Sequence, residues 1–317
     1  MGMTFAITGA AGFIGNATVN AALHRGHKVR ALVRKNTPSL PEGIETIELD
    51  LSSDRNSIER SLSGVDAVIH AAGRMRSDRQ TATQETVQAT ELLLSCLSNA
   101  APNARLVLVS SIAVYDADAR DINEDTLLEM HPETRDAYAQ AKLAQEACLH
   151  HFIGECWIAR PGAVYGPGRL WNAHLGFHAG PLLIRLGKSG EIPLIYVENC
   201  AEALVIAAET PIPNNDHRAL NLIDGQLPDR SQFLSVLGHV APRIQLPFPS
   251  KLLSVIGTGL GLIPGLSDRL PGLLRPRTLH ARIGEKYYSN ARAEKELGWH
   301  SRVSFDCAMR TSLETGK

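Results

Sequence analysis

The sequence predicts an α/β protein in which a doubly wound parallel sheet carries helices on both faces. Three observations support this fold class: short apolar runs alternate with helical stretches, a glycine-rich turn follows the first run, and the alternation ends near Arg160. Apolar runs of this length are typical of strands buried on both faces of a sheet. The βαβα order predicts a ligand crevice at the carboxyl ends of the strands.

Six apolar runs in the first half are the predicted strands of this sheet. They are Thr4–Thr8, Lys28–Val33, Glu45–Leu49, Asp66–His70, Leu106–Ser110 and Cys156–Arg160. The clearest helical stretches between them are Ile14–His24, Thr83–Ser98 and Asp136–Phe152. The crossovers that join successive strands are expected to be right-handed.

The pattern changes after Arg160, where a turn-rich segment is followed by residues 169–195 without a clear period. Later elements are predicted at Val197–Glu209 (helix), Leu220–Ile223 (strand) and Asn290–Leu297 (helix). We therefore expect residues 161–317 to form mainly a smaller substrate-binding cap, with residues 197–223 returning to the sheet.

The composition is that of a globular protein without a strong charge bias. The 317 residues include 32 Lys and Arg against 33 Asp and Glu, so the net charge is −1, and 44% are hydrophobic. This balance gives no support for a nucleic-acid partner. The five scattered cysteines form no C-x-x-C pair, and no secretory segment is evident, so we expect a cytoplasmic protein without a metal site.

The first strand ends in a glycine-rich turn. Gly9, Gly12 and Gly15 form G-x-x-G-x-x-G directly after Thr8. Such glycines permit a close approach of a pyrophosphate, which the N–H groups and dipole of the following helix attract. An ordinary strand-to-helix turn is the alternative, but the position at the start of a βαβ unit favours binding. Residues 1–160 are therefore predicted to form a dinucleotide-binding Rossmann domain.

The end of the second strand bears on which dinucleotide binds. NAD-binding proteins usually place an acid there to hold the ribose 2′-OH, whereas this strand ends in Leu32-Val33-Arg34-Lys35. An arginine can bind a phosphate through two hydrogen bonds. We therefore expect NADP, with NAD as the alternative, although a solvated basic loop would give the same sequence.

Tyr138 and Lys142 are four residues apart in a helical stretch, so their side chains share one face. A phenol titrates near 10, and a neighbouring ammonium lowers that pKa. Ser111 follows the fifth strand, where its hydroxyl could bind a carbonyl oxygen. Each residue alone is commonly a surface or turn residue. Their order after the glycine turn favours a proton relay that accompanies hydride transfer to or from a nicotinamide.

These motifs resemble the extended short-chain dehydrogenase/reductase family, also described as the NAD-dependent epimerase/dehydratase family. The matching segments are Thr8–Gly15, Asp50-Leu51, His70–Gly73, Ser110-Ser111, Val114-Tyr115, Tyr138 with Lys142, Arg160–Gly168 and Ala291–Trp299. The resemblance covers nearly the whole chain. It implies an NAD(P)-dependent enzyme that acts on a small-molecule substrate, and a homodimer formed through the helices of Thr83–Ser98 and Tyr138–Phe152.

Carried over residue by residue, the resemblance implies a set of site residues. Tyr138 would be the catalytic acid/base, Lys142 would lower its pKa and bind the nicotinamide ribose, and Ser111 would be the catalytic serine. Besides Tyr138 and Lys142, the cofactor-binding residues would be Gly9, Ala11, Gly12, Phe13, Ile14, Arg34, Asp50, Leu51, Ala71, Ala72, Gly73, Pro161 and Gly162. Asp50 and Leu51 would contact adenine.

Departures from the family patterns narrow the expected activity. Ser111-Ile112-Ala113 stands where the 4,6-dehydratases carry Thr-Asp-Glu. Ala163 stands where nucleotide-sugar epimerases commonly carry Asn. The chain looks closer to the 3β-hydroxysteroid dehydrogenase-like branch. This implies an NADP-dependent oxidoreductase that interconverts a ketone and a secondary alcohol on an apolar or lipid-like substrate. The alternatives are a nucleotide-sugar epimerase with bound NAD and a redox-sensing module without catalysis.

A basic, apolar segment lies near the C-terminal end. Residues 246–282 contain Lys251, Arg269, Arg275, Arg277 and Arg282 against Asp268 alone. Glycines and a proline interrupt the apolar run 252–266, which falls short of the roughly 20 residues of a transmembrane helix. The sequence leaves open whether the segment lines the substrate pocket, a subunit interface or a membrane surface.

Overall fold

Parallel strands form the centre of this computed structural model, which describes residues 2–34, 40–52, 54–73, 79–187, 190–263 and 270–315. The strands are β1 (Thr4–Thr8), β2 (Lys28–Val33), β3 (Glu45–Glu48), β4 (Ala67–His70), β5 (Arg105–Val109), β6 (Asp121–Ile122), β7 (Cys156–Pro161), β8 (Ala163–Tyr165), β9 (Gly176–Ala179), β10 (Leu182–Leu186), β11 (Leu194–Tyr196), β12 (His217–Leu222), β13 (Ile244–Phe248) and β14 (Tyr287–Tyr288). Seven of them form one sheet in the order β12-β7-β5-β4-β1-β2-β3. All pairings in this sheet are parallel.

Helices cover both faces of the sheet. They are α1 (Phe13–His24), α2 (Arg55–Leu62), α3 (Arg79–Ala100), α4 (Ala137–Ala147), α5 (Val197–Glu209), α6 (Arg230–Leu237), α7 (Ser250–Gly261), α8 (Pro276–Ile283), α9 (Ala291–Leu297) and α10 (Phe305–Thr315). Phe5 and Ile7 pack into the hydrophobic cluster that includes α1 and α5, whereas Ala6 packs into the cluster that includes α2 and α3. Side chains alternate across a strand, so β1 supports both faces. The predicted doubly wound parallel sheet is confirmed.

Most predicted elements agree with the structure to within one or two residues. The strand predicted over Leu220–Ile223 begins three residues earlier, at His217, and two helices differ by more. The helix predicted over Thr83–Ser98 begins earlier, at Arg79. The helix predicted over Asp136–Phe152 ends at Ala147, and a 3-10 turn spans Cys148–His151. Asp136 lies outside this helix as its N-cap, because its carboxylate accepts a 2.9 Å hydrogen bond from Ala139 N.

The C-terminal half both returns to the sheet and forms a smaller lobe. β12 is an edge strand of the main sheet, and Ala293 of α9 and Trp299 lie in the same core cluster as β1. The segment 169–195, which showed no clear period, contains β9, β10 and β11. β10 pairs with β9 antiparallel and with β13 parallel.

The apolar helix α7 lies on the surface of this lobe. Leu253 and Gly257 are its buried residues, whereas Val255 is 68% exposed. A Cβ on Gly257 would lie 2.0 Å from Leu274 O, so this glycine allows close packing against the following turn. No described helix combines the length and apolar character that crossing a membrane requires.

Candidate active site

The glycine turn between β1 and α1 is built by close backbone contacts. Gly9 has φ of 66°, and a Cβ there would lie 2.8 Å from Ala72 N. A Cβ on Gly15 would lie 2.1 Å from Gly9 O, which Gly12 N already binds at 2.8 Å. Side chains at Gly9 and Gly15 would therefore separate the turn from both β4 and α1. The first N–H groups of α1, directly after this turn, have no acceptor within the helix.

A cleft of about 670 Å³, here called the cofactor cleft, opens beside this turn. Nine of the predicted cofactor-binding residues line it: Gly9, Ala11, Gly12, Arg34, Asp50, Leu51, Ala71, Ala72 and Gly73. Arg34 is exposed at the end of β2, while Lys35 lies outside the described residues. Asp50 Oδ1 accepts hydrogen bonds from Ser52 N at 3.0 Å and Ser52 Oγ at 2.7 Å. The backbone cradle and the size of the cleft fit a dinucleotide.

Sequence reasoning missed other residues of the cofactor cleft. Ser52 lies two residues after Asp50, and Glu85 and Ala89 come from α3. The wall formed by α3 had no recognisable motif, because its contribution depends on how the helix crosses the end of the sheet.

A second cavity of about 480 Å³, here called the inner cavity, contains Ser111 and Tyr138. Phe13, Ile14 and Gly162 are the other predicted residues that line it. Residues that the sequence did not predict as site residues complete its wall, among them Arg135, Asp136, Arg169, Trp171, Asn172, His174, Lys286 and Tyr288. Pro161, the last residue of β7, is buried and lies outside the lining of both cavities as described. Of the described residues in 246–282, Ala281 and Arg282 line the inner cavity.

Ser111 and Tyr138, here called the Ser111–Tyr138 pair, both line the inner cavity. Ser111 Oγ also accepts a 3.2 Å hydrogen bond from Ala113 N, which fixes the start of the turn after β5. Burial raises the pKa of Tyr138, and the hydrogen bond from Ser111 together with the charges of Arg282 and Arg169 opposes this rise. The phenol is therefore protonated at neutral pH and can donate a proton.

Lys142 is held below Tyr138 on the same helix. Its Nζ donates to Val109 O at 2.6 Å and to Gln145 Oε1 at 2.8 Å. A Cβ on Gly73 would lie 3.7 Å from this Nζ, so the ammonium faces the wall of the cofactor cleft. Burial lowers the pKa of Lys142 to about 8, although Glu146 opposes the shift.

A buried ion pair fixes the position of α4. Arg160 on β7 binds Glu146 twice, with Nε to Oε1 at 3.0 Å and the second nitrogen to Oε2 at 2.7 Å. Ser110 Oγ also donates to Glu146. Arg160 then donates to Tyr115 Oη at 3.0 Å, and Tyr115 donates to Asn221 Oδ1 at 2.7 Å. These motif residues tie α4 to β5, β7 and β12.

The cap contacts the same helix at its first turn. Arg282 of α8 donates to the carboxylate of Asp136, and Asp136 N donates to Thr278 Oγ1 at 2.9 Å. Asp136 therefore caps the helix that carries Tyr138 and also binds the wall of the inner cavity. Across the described residues, no group of three or more His, Cys, Asp or Glu side chains could hold a metal ion.

A protein-family model described as the NAD dependent epimerase/dehydratase family matches residues 5–222. The chain belongs to this family. Its glycine turn, both cavities and the Ser111–Tyr138 pair draw most of their residues from the matched region, so family membership and the geometry of the site agree.

Individual relatives differ in reaction. A ceramide reductase from Caulobacter vibrioides is 30% identical over 213 residues, which span 65% of this chain and 61% of that protein. A 3 beta-hydroxysteroid dehydrogenase/Delta 5-->4-isomerase from Mycobacterium tuberculosis is 26% identical over 325 residues, which span 92% of this chain and 85% of that one. These similarities support an NAD(P)-dependent oxidoreductase-type enzyme.

Solved structures share the fold across the whole chain. A UDP-glucose-4-epimerase from Stenotrophomonas maltophila, solved with NAD and formylated UDP-arabinopyranose, superposes with a TM-score of 0.76 at 18% identity. The match covers 99% of this chain and 98% of that one. The likeness shows a common architecture.

Proposed function

We propose that this protein is an NADP-dependent oxidoreductase that interconverts a ketone and a secondary alcohol. The Ser111–Tyr138 pair in the inner cavity carries this proposal, since the inner cavity adjoins the cofactor cleft at the glycine turn: Gly9 and Gly12 line the cleft, and Phe13 and Ile14 line the cavity. When bound, the nicotinamide would supply or accept the hydride. Residues of this protein would donate or accept the proton and orient the carbonyl group of the substrate.

In the reductive direction, Ser111 would orient the carbonyl oxygen by donating a hydrogen bond. Tyr138 would donate its proton to that oxygen as negative charge develops there. Lys142, Arg282 and Arg169 would stabilise the phenolate that remains. Lys142 would in addition bind the nicotinamide ribose with the donor that faces Gly73.

The choice of NADP rests on Arg34. Its guanidinium lies at the end of β2 and lines the cofactor cleft, where an acid would stand in a typical NAD site. A 2′-phosphate would pair with this cation, whereas the 2′-OH of NAD would leave it solvated.

The lining of the inner cavity favours an apolar substrate that also carries a hydrogen-bond acceptor. Phe13, Ile112 and Trp171 give it apolar walls. Asn172 Nδ2 is buried and has no hydrogen-bond partner within the described part of the chain. Because an unpaired buried donor costs about 1–3 kcal/mol, a ligand acceptor would recover that free energy. The ceramide and hydroxysteroid relatives are consistent with a lipid-like substrate of this kind.

The cationic side chains of the inner cavity argue against a diphosphate sugar. Arg282 is paired with Asp136, and Lys286 donates to the carbonyl oxygens of Ala117 and Ala119. Arg282 and Lys286 are therefore already engaged within the protein, whereas Arg169 of the same lining lies over the ring of Phe13. A nucleotide-sugar epimerase would instead be indicated by NAD that copurifies with the protein.

The experiment that tests the proposal couples NADPH oxidation to a panel of steroid, β-keto acyl and sugar ketones. Tyr138→Phe should lower turnover of any active ketone by at least about 100-fold, because the proton donor is lost. NADPH affinity should change little. Tyr287→Phe, at an exposed tyrosine outside both cavities, is the matched control. Retained turnover in Tyr138→Phe would exclude the relay.

A homodimer through α3 and α4 stays a prediction that sedimentation would check.

A further inference from the structure

A network of buried polar side chains connects Lys142 to the glycine turn. Gln145 Oε1 accepts from Lys142, and Gln145 Nε2 donates to Thr90 Oγ1 at 3.1 Å. Thr90 Oγ1 lies 3.2 Å from His70 Nε2, and His70 Nδ1 lies 2.7 Å from Thr8 Oγ1. The network thus links α4, α3, β4 and β1. Thr8, Thr90 and Gln145 are each 0% exposed.

The hydrogen bond that Thr90 donates and the neutral state of His70 determine which groups donate and which accept in this network. Thr90 donates its hydroxyl proton to Thr86 O at 2.8 Å, so its oxygen must accept from both Gln145 and His70. Burial, with the charge of Lys142, lowers the pKa of His70 to about 3, so the imidazole is neutral. His70 then donates from Nε2 and accepts from Thr8 at Nδ1. Thr8 in turn accepts from Ala72 N at 3.2 Å.

This arrangement leaves one orientation for the Gln145 carboxamide. Rotation by 180° would place its NH₂ group against the Lys142 ammonium and its oxygen against a hydroxyl that has no proton to give. Gln145 Oε1 therefore faces Lys142. The ammonium has three donors, and Val109 O and Gln145 Oε1 take two of them. The third is left for the side of the cofactor cleft, where Gly73 lies.

We propose that Gln145, locked by Thr90 and His70, is the positioning residue that aims one N–H of Lys142 at the cofactor cleft. The same hydrogen bonds hold Thr8 and Ala72, which flank the glycine turn and the loop after β4. The loops that form the cofactor cleft and the lysine that would bind the ribose are thereby set by one continuous network. The catalytic part of this inference rests on the proposed function, and its structural part does not.

The charged and titratable groups around Lys142 come from three elements. His70 of β4 is neutral, Tyr138 and Glu146 belong to α4, and Glu146 is bound to Arg160 of β7. β5 contributes the carbonyl of Val109. Burial favours the neutral amine, whereas the charge of Glu146 and the acceptors Val109 O and Gln145 Oε1 favour the ammonium form.

The first test measures the pKa of Lys142 by NMR titration of lysine ¹³Cε, with the signal assigned by Lys142→Arg. Gln145→Leu should lower this pKa by about one unit, because an acceptor of the charged form is lost. Gln145→Glu should raise it. Gln140→Leu, on the same helix but bound to Arg135 O, should leave it unchanged. An unchanged Lys142 pKa in Gln145→Leu would overturn the proposal.

A second pair of variants separates positioning from folding. Thr90→Val removes the hydroxyl that holds Gln145 and His70 while keeping nearly the same shape. Thr90→Ser keeps that hydroxyl. Thr90→Val should shift the Lys142 titration in the same direction as Gln145→Leu, and Thr90→Ser should restore the wild-type value. Equal Lys142 titrations in Thr90→Val and the wild type would contradict the network.

Kinetics provide the readout that depends on the proposed function. With an active ketone, Gln145→Leu should lower kcat about 10-fold at neutral pH, shift the pH profile in parallel with the Lys142 titration, and leave the ketone KM within about twofold. A change in KM alone would contradict the positioning role. If the wild type turned over no ketone while the NMR shifts occurred, the proposed function would fail and the assignment of Gln145 would stand.

Discussion

Arg34 is the side chain on which the proposed preference for NADP rests. Arg34→Gln should weaken NADPH binding by about 10- to 100-fold, because the charge-assisted hydrogen bonds to a 2′-phosphate are worth roughly 1.5–3 kcal/mol. NADH binding should change little. Fluorescence titration of both cofactors measures this, with Arg310→Gln on the exposed face of α10 as the control. An equal loss for NADH would show that Arg34 contacts a group common to both cofactors.

Individual site residues were predictable where a short motif determines local geometry. The positive φ of Gly9 and the close approach at Gly15 follow from the spacing of the glycines. Ser111 and Tyr138 line the same cavity, and the relay expected of them stays a prediction. In contrast, Lys142 was expected to act on Tyr138, and its hydrogen bonds run to Val109 O and Gln145. Contacts between residues far apart in sequence, such as Gln145 with Thr90, leave no local pattern.

At the scale of elements, Asp224 joins the end of β12 to the start of α5. Its Oδ2 accepts from Tyr196 N at 2.9 Å, and its Oδ1 accepts from Asn199 Nδ2 at 2.8 Å. Asn199 also exchanges hydrogen bonds with the backbone of Val303. Burial raises the pKa of Asp224 from 3.8 to about 6, although both hydrogen bonds oppose the rise.

This raised pKa predicts a specific dependence of stability on pH. The folded protein binds the Asp224 proton more tightly than the unfolded chain, so the contribution is fully present below 3.8 and is lost as the pH rises through about 6. Asp224→Asn cannot ionise. Its free energy of unfolding, relative to the wild type, should therefore rise between pH 4 and pH 7 by up to about 3 kcal/mol.

Urea unfolding at several pH values measures this difference. Asp216→Asn, at an exposed carboxylate just before β12, should show no comparable trend. A constant difference between Asp224→Asn and the wild type at all pH values would mean that Asp224 has an ordinary pKa in the folded protein.

Elements with strong periodicity or clear caps were predicted well, and short exposed strands were not. α5 agrees at both ends with the predicted helix. β9 and β10 were missed because each is four or five residues long and only partly buried, so neither shows a simple alternation. The sequence left open whether the apolar segment around α7 lines the pocket, a subunit interface or a membrane surface. The structure places α7 on the surface of the smaller lobe, with Leu253 and Gly257 as its buried residues, while Ala281 and Arg282 at the end of the segment line the inner cavity.

At the scale of the whole molecule, the two halves of the chain are interleaved. The expected boundary at residue 160 falls one residue before the end of β7, and β12 and α9 return to the core after it. β14 near the C-terminal end pairs in parallel with β6, and Arg282 binds Asp136. Such long-range pairings depend on tertiary packing, which a pattern of apolar residues does not record.

The glycine turn faces two spaces, and this has a consequence for the order of events in catalysis. Gly9, Ala11 and Gly12 line the cofactor cleft, whereas Phe13 and Ile14 line the inner cavity. A dinucleotide seated on the turn would complete the wall against which a ketone rests, so the ketone should bind second. Steady-state kinetics should then show compulsory order: a dead-end ketone analogue would be uncompetitive against NADPH. A mixed pattern would indicate that the ketone can also bind the free enzyme.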